Sequence, residues 1–414
     1  HACLYVEFGS AKLLIDPWLY GSCYWRSWWN YPEINDDNLA IIEPTHIYLT
    51  HLHWDHFHGP SLRKFEKFKP TILLPYSCTT RMIVDIKRDF QFNKVKELRH
   101  AKKYLIADDF EITSYQFGPT IIDSSLVINA GGKKILDAND VKVFGNSLNQ
   151  IKKIHGDFDF VLRSHSSANE IPHCIVDSQK YRFIRTKEDY SKDFINFALK
   201  VNAKYAIPFA SSHIYLHRNS FKYNEFYNPP QLVKEQFNNQ KIKSPECVLM
   251  PSGSSWSSIK GFSLVNNDYK NIDQHINNAL NKNKEKLEKF YAIEEKTPFN
   301  LKAFEKYFEN FFYSLKFFPL KIRFAFNIVP NNSLKNHSKL AIIDLTKKRI
   351  KILDNCNLDQ DFMIRENLDF SITISAKILN DCCIKRMFNC WFPSKLMQIT
   401  LRERNCLSKY LKFS

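Results

Sequence analysis

The sequence predicts an α/β protein whose sheets are stacked and flanked by helices. Apolar runs of strand length crowd the first half of the chain in hairpin-like pairs, and helical patterns sit between and after them. A dense run of metal-donor residues also falls where a short apolar strand ends, in Thr50-His51-Leu52-His53-Trp54-Asp55-His56-Phe57-His58-Gly59. Chemistry in α/β folds is usually placed in such loops.

Taken in order, residues 3–8 and 12–16 read as two strands joined by the turn Gly9-Ser10, the second ending in Asp16-Pro17-Trp18. An aromatic stretch from Tyr24 to Pro32 follows, read as a loop. Its Trp28 and Trp29 suit either core packing or a wall facing a substrate. His46–Thr50 is the short strand before the donor cluster. Further strand-like runs occur at 71–75, 110–115, 125–129, 133–137, 141–144 and 159–163, with helical segments at 60–68, 78–88 and 189–201. Past residue 261 the character changes. Polar or amphipathic helices at 271–291 and 299–315 precede strands at 322–326, 340–344, 349–353, 369–375 and 396–401, with a helix near 376–390. Residues 1–261 therefore read as one domain, and 262–414 as a second, α+β domain.

The chain has 414 residues and a formal charge of +16, which predicts attraction to anions. Its Lys and Arg are scattered rather than run together, which argues against nucleic acid and for a small anionic substrate. No apolar run approaches the ~20 residues of a membrane span. The ten cysteines form no C-x-x-C pair and read as buried, reduced thiols of a cytoplasmic protein. The N-x-S sequons at Asn331 and Asn336 read as chance.

The cluster supplies three imidazoles and a carboxylate, His51, His53, Asp55 and His56, a donor set suited to zinc, iron or manganese. Two ions need more ligands than these, so later strand ends matter. Asp140 follows the strand in Lys133–Asn139 and could bridge two metals, with Asp137 supporting it. His213 follows the apolar run 205–210 and is a candidate last ligand. Asp123 is either a ligand or an Asx-turn cap. His165 and His173 are candidates to line the pocket, and His58 and His217 are weaker ones.

The order strand, Asp16-Pro17-Trp18, H-x-H-x-D-H, strand–Asn139-Asp140 and strand–His213 resembles the metallo-β-lactamase superfamily over roughly residues 1–260. That resemblance implies an αββα sandwich with a dinuclear zinc, iron or manganese site. It also implies that His51, His53, Asp55 and His56 bind the metals directly, that Asp140 bridges them and that His213 is the last ligand. The chain departs from the family at Asp123, where a His is usual, and a more oxygen-rich site shifts preference from zinc toward iron or manganese. A looser similarity is to the non-Rieske part of CMP-N-acetylneuraminate hydroxylase and its bacterial relatives. It rests on Asp16-Pro17-Trp18-Leu19, Trp28-Trp29, Asp123-Ser124-Ser125, Asn139-Asp140 and Trp391-Phe392-Pro393-Ser394-Lys395. The C-terminal region is similar to sterol-carrier-like domains, which implies a hydrophobic cavity.

The leading expectation is a metallohydrolase in which Asp55 or Asp140 orients a metal-activated water against an ester, lactone, amide or phosphodiester. The alternative is a diiron oxidase or oxygenase, drawing electrons from a redox partner or from its substrate.

Overall fold

The computed structural model describes residues 1–414 except 35, 78, 119–122, 142, 167–170, 177–184, 268, 316–318, 330–338, 355, 387 and 414. Both sequons, Cys78, the Ile121-Ile122 segment before Asp123 and the start of the 78–88 helix lie outside the described residues.

Two sheets face each other. The first runs Leu4–Phe8, Ala11–Ile15, His46–Tyr48, Thr71–Pro75, Lys94–Leu98; only its first pair is antiparallel. The second runs Glu246–Cys247, Tyr205–Phe209, Phe160–Ser164, Lys133–Asn139, Asp123–Ala130, Phe110–Phe117, Lys103–Ala107. Alternation along the strands explains the stacking. Leu13, Ile15, Tyr48 and Leu73 meet Phe110, Ile112, Leu126 and Ile128 of the opposite sheet. Leu14, Ile47, Ile72 and Leu74 point the other way, onto the helices Gly59–Phe65 and Arg81–Asp89. Strands covered on both faces read as unbroken apolar runs, and each such side chain contributes about 1.5–3 kcal/mol on burial. The outer face of the second sheet is covered by Gly145–His155, Lys187–Val201 and Pro230–Asn239. The result is a four-layer αββα sandwich, the architecture the resemblance implies.

The turn Gly131-Gly132 that reverses the chain before Asp140 has φ +55° and +77°. A Cβ at Gly131 would lie 2.3 Å from the Phe8 ring, so this turn accepts only glycine.

Beyond the sandwich, Ile272–Lys296 lays Ile276, Leu287 and Tyr291 against Trp29, Tyr31, Ile214 and Leu216. A C-terminal sheet follows, ordered Arg349–Asp354, Lys339–Asp344, Arg323–Val329, Phe370–Ser375, Met397–Leu401. One face is filled by Phe324, Phe326, Phe370, Trp391 and Tyr410, and this core is continuous with Trp18, Tyr24 and Trp28 of the sandwich.

Some local expectations need correction. Val141 and Val143 are buried but lie in no strand; Val141 N bonds Ala138 O, a turn that closes the loop carrying Asp140. The aromatic stretch contains a strand, Trp28–Asn30, because His213–Tyr215 pairs with it. The 376–390 helix is two helices, Ala376–Lys385 and Phe388–Ser394, separated at Arg386 with φ +55°. The edge strands Lys94–Leu98 and Lys103–Ala107 escape sequence reading; Lys94, Lys96 and Lys103 hold exposed positions on them, and lysine blunts a sheet edge.

No helix among the described residues is long and apolar enough to cross a membrane. Cys3, Cys23, Cys174, Cys247, Cys356, Cys382, Cys383 and Cys406 form no disulfide.

Candidate metal centre

The donor residues converge at one end of the sandwich. His51–His56 follow the strand His46–Tyr48, and Asp140 follows Lys133–Asn139. Asp123 begins the strand antiparallel to Lys133–Asn139. Leu126 pairs with Asp137, and three further residues along each chain set Asp123 beside Asp140. Asn139, at φ +34°, holds the corner. Its Nδ2 donates to Ser124 O at 3.0 Å, and its Oδ1 accepts from Asp140 N at 2.6 Å.

His51 Nε2 lies 2.8 Å from His53 Nδ1, 4.0 Å from Asp123 Oδ1 and 3.8 Å from Asp140 Oδ2. His56 Nε2 lies 3.7 Å from Asp140 Oδ2 and 3.2 Å from Asp55 Oδ2. Two groups of convergent donor atoms, each within 4.8 Å of one another, stand out among the described residues: His51, His56 and Asp140, and His1, Asp55 and His56.

A supporting layer orients them. Asp16 accepts from Thr50 N at 2.8 Å and from Thr50 Oγ1 at 2.6 Å, and it contacts His56 Nδ1 at 2.7 Å. That contact aims His56 Nε2 inward, as outer carboxylates do for metal-binding imidazoles. Sequence reading assigned Asp16 no role, although its Asp-Pro-Trp turn was visible. His1 was missed entirely; its ring Nε2 is 2.7 Å from Asp55 Oδ2. Tyr24 OH donates to Asp55 Oδ1. Asp137 accepts from Asn139 N at 3.1 Å, and burial and nearby Asp16 raise its carboxyl well above the usual range.

Burial opposes ionisation of Asp55, yet the neighbouring His56 and the hydrogen bond from Tyr24 hold its carboxyl well below the usual range. Burial works against a charged His56, but Asp55, Asp140 and Asp16 push it well above the ordinary imidazole value. His53 is lowered by burial and by His51.

The other predicted residues divide. His213 stacks flat on Trp28, with ring centroids 3.6 Å apart, and its Nε2 is 3.1 Å from Tyr215 OH. It belongs to neither convergent group. Trp28 walls the site beside His1 and His213. Trp29 turns away, packing with Tyr291 and Leu287. His165 is buried after the strand Phe160–Ser164, and burial pushes its imidazole down to about 3. His173 lies against Lys395 Nζ at 2.7 Å and over Phe226, with burial and Lys395 lowering it to about 2. His58 bonds Ser61 Oγ at 2.8 Å, and His217 sits 3.5 Å from Glu294.

The donor set fits a cation. His56 Nε2, Asp123 Oδ1, Asp140 Oδ1 and His1 Nδ1 are buried and make no hydrogen bond. Several kcal/mol of desolvation per buried ion is an order of cost that a purely structural cluster would have to offset elsewhere. Bound divalent ions would offset it directly and would supply Lewis-acid activation of solvent or substrate or, if iron, redox chemistry.

No family model matches the chain. It is 32% identical over 84 residues to cytidine monophosphate-N-acetylneuraminic acid hydroxylase of Danio rerio, covering 20% of this chain and 14% of that protein. It is 34% identical over 84 residues to the inactive Homo sapiens counterpart, covering 20% and 17%. The chain thus spans under a fifth of the length of either relative. Similar solved structures include a mutant of CmlA beta-hydroxylase, with TM-score 0.42, 14% identity, and 61% and 51% of the two chains covered. Another is the metallo-beta-lactamase fold protein YhfI from Bacillus subtilis, with TM-score 0.39, 12% identity, and 61% and 89% covered. A third is Zn(2+)-bound PqqB from Methylobacterium extorquens, with TM-score 0.33, 13% identity, and 60% and 84% covered. A putative Zn-dependent hydrolase of the metallo-beta-lactamase superfamily from Thermotoga maritima is also similar, with TM-score 0.32, 14% identity, and 60% and 94% covered.

Proposed function

We propose that this chain is a dinuclear-metal enzyme acting on a small anionic molecule, and that its working metal is iron with dioxygen as co-substrate. The carrying observation is Asp123. It offers a carboxylate to the end of the site formed by His51 and His53, so carboxylates face both ends, with Asp140 between them. Hard oxygen donors favour iron or manganese over zinc. The short similarity to a hydroxylase supports the same choice. Hydroxylating a C–H bond with dioxygen sends one oxygen atom to product and one to water. It consumes two electrons and two protons, so a reducing partner protein belongs to this reading.

In this reading His51, His53, Asp55, His56, Asp123 and Asp140 hold the ions, and Asp16 and Tyr24 orient them. Trp28, with residues 262–414 behind it, excludes water from one side. Asp123 and Asp140 are part-exposed and form the open side, where substrate enters. The net charge of +16 draws an anion there. A cytoplasmic location belongs to the proposal, since free thiols suit a reducing compartment. Hydrolysis is the second reading, favoured by that same open side, where Asp140 could orient a water.

The test is metal content after growth without metal bias, with a Mössbauer spectrum and oxygen uptake under a chemical reductant. Two irons per chain with uptake are expected. Two zincs and no uptake would replace this reading with hydrolysis, to be assayed on lactones and phosphodiesters.

A further inference from the structure

We infer that His1 supplies an imidazole ligand to the second ion, together with Asp55, His56 and the shared Asp140, and that His213 stands behind it as a packing group. The inference rests on the metal reading above and adds a ligand to it.

Three observations carry it. The donor atoms form a chain of short steps: His1 Nε2 to Asp55 Oδ2 is 2.7 Å, Asp55 Oδ2 to His56 Nε2 is 3.2 Å, and His56 Nε2 to Asp140 Oδ2 is 3.7 Å. Ligand atoms at ~2.1 Å from one tetrahedral ion stand roughly 3.4 Å apart, so slight opening at His1 accommodates the ion. The His1 ring is also held in place. Its side chain is 2% exposed, and its ring meets Trp18 and Trp28 edge-on at 5.3 and 5.9 Å. Its carbonyl accepts from Ala210 N beside the strand Tyr205–Phe209. Finally, its Nδ1 is buried without a hydrogen bond, so no second partner draws the ring away from Asp55.

The convergent donor atoms then fall in two groups that share His56: His51, His56 and Asp140 in one, and His1, Asp55 and His56 in the other. His213 Nδ1 is also buried without a hydrogen bond, but His213 belongs to neither convergent donor group.

The experiment strips the full chain with a chelator and titrates it anaerobically with Fe(II), and separately with Zn(II). Ions per chain are counted by mass spectrometry and the nitrogen shell is read by X-ray absorption. His1→Gln is expected to weaken the second ion at least about tenfold and remove one nitrogen neighbour. His213→Gln is expected to keep two ions at wild-type affinity. In His1→Gly, free imidazole is expected to restore the second ion, a rescue that a folding defect would not show. Unchanged affinity in His1→Gln, or loss of an ion in His213→Gln, overturns the assignment while leaving the dinuclear reading intact. A wild-type chain that takes up no ion overturns both.

Discussion

The sandwich and the C-terminal sheet bury opposite kinds of residue. At its ligand end the sandwich hides Asp16, His51, Asp55, His56, Asp137 and His213; the C-terminal sheet hides Phe324, Phe326, Phe370, Trp391 and Tyr410. Apolar burial at ~25 cal/mol per Å² makes the second arrangement stable unaided. The first is costly without a compensating cation. The two regions touch through the aromatic stretch. Trp25 Nε1 donates to Asp381 at 2.8 Å, Trp28 Nε1 to Pro393 O at 2.9 Å, and Ser27 Oγ to Ser394 O at 2.7 Å. The contrast teaches a division of labour in which one region gathers the metal-donor groups and the other supports the wall behind them.

That division can be broken most sharply at Asp140. Because it faces both ends of the site, Asp140→Ala is expected to lose at least one ion per chain, counted by mass spectrometry. His53→Ala is expected to do the same at one end. Full occupancy in both variants would sink the ligand assignment. Next in size, Trp391→Ala in the C-terminal core should cost about 3–5 kcal/mol in urea unfolding. Ion content should hold where the variant stays folded; an equal loss of ions would show that the C-terminal region shapes the site directly.

Asp16→Asn tests the supporting layer and should weaken ion retention about 10–100-fold, read by chelator competition. The smallest effect is pH dependence. His165 and His173 are held neutral, with values of about 3 and 2. Their values in the unfolded chain are higher, so the unfolded state binds protons first. Their contribution is therefore fully present above about pH 6.5 and is lost as pH falls toward 3, with a slope of up to about 1.4 kcal/mol per pH unit for each group. Urea midpoints of metal-free protein at pH 7.5 and 5 should draw together in His173→Gln. An unchanged gap would remove His173 from this account.

Legibility followed the range of the interaction. His51, His53, Asp55 and His56 could be read together because six residues in one loop need no fold to bring them close. Asp140 was legible because a strand end and an Asn-Asp corner are local signals. Asp123 could be noticed but not placed, since its position beside Asp140 depends on the register of two strands. Trp28 and Trp29 looked alike in sequence. Alternation on the strand Trp28–Asn30 sends one toward His213 and the other toward Tyr291. Val141 and Val143 looked like a strand because apolar burial, not pairing, governs their composition.

By itself, then, the sequence determined the α/β class and the donor loop, because periodicity and short-range clustering survive without tertiary contacts. Only the tertiary structure decided that His1 approaches Asp55 while His213 lies against Trp28. Those contacts join His1, the donor loop, the aromatic stretch and the distant strand His213–Tyr215. No local signal specifies pairings made by sheet stacking and aromatic packing.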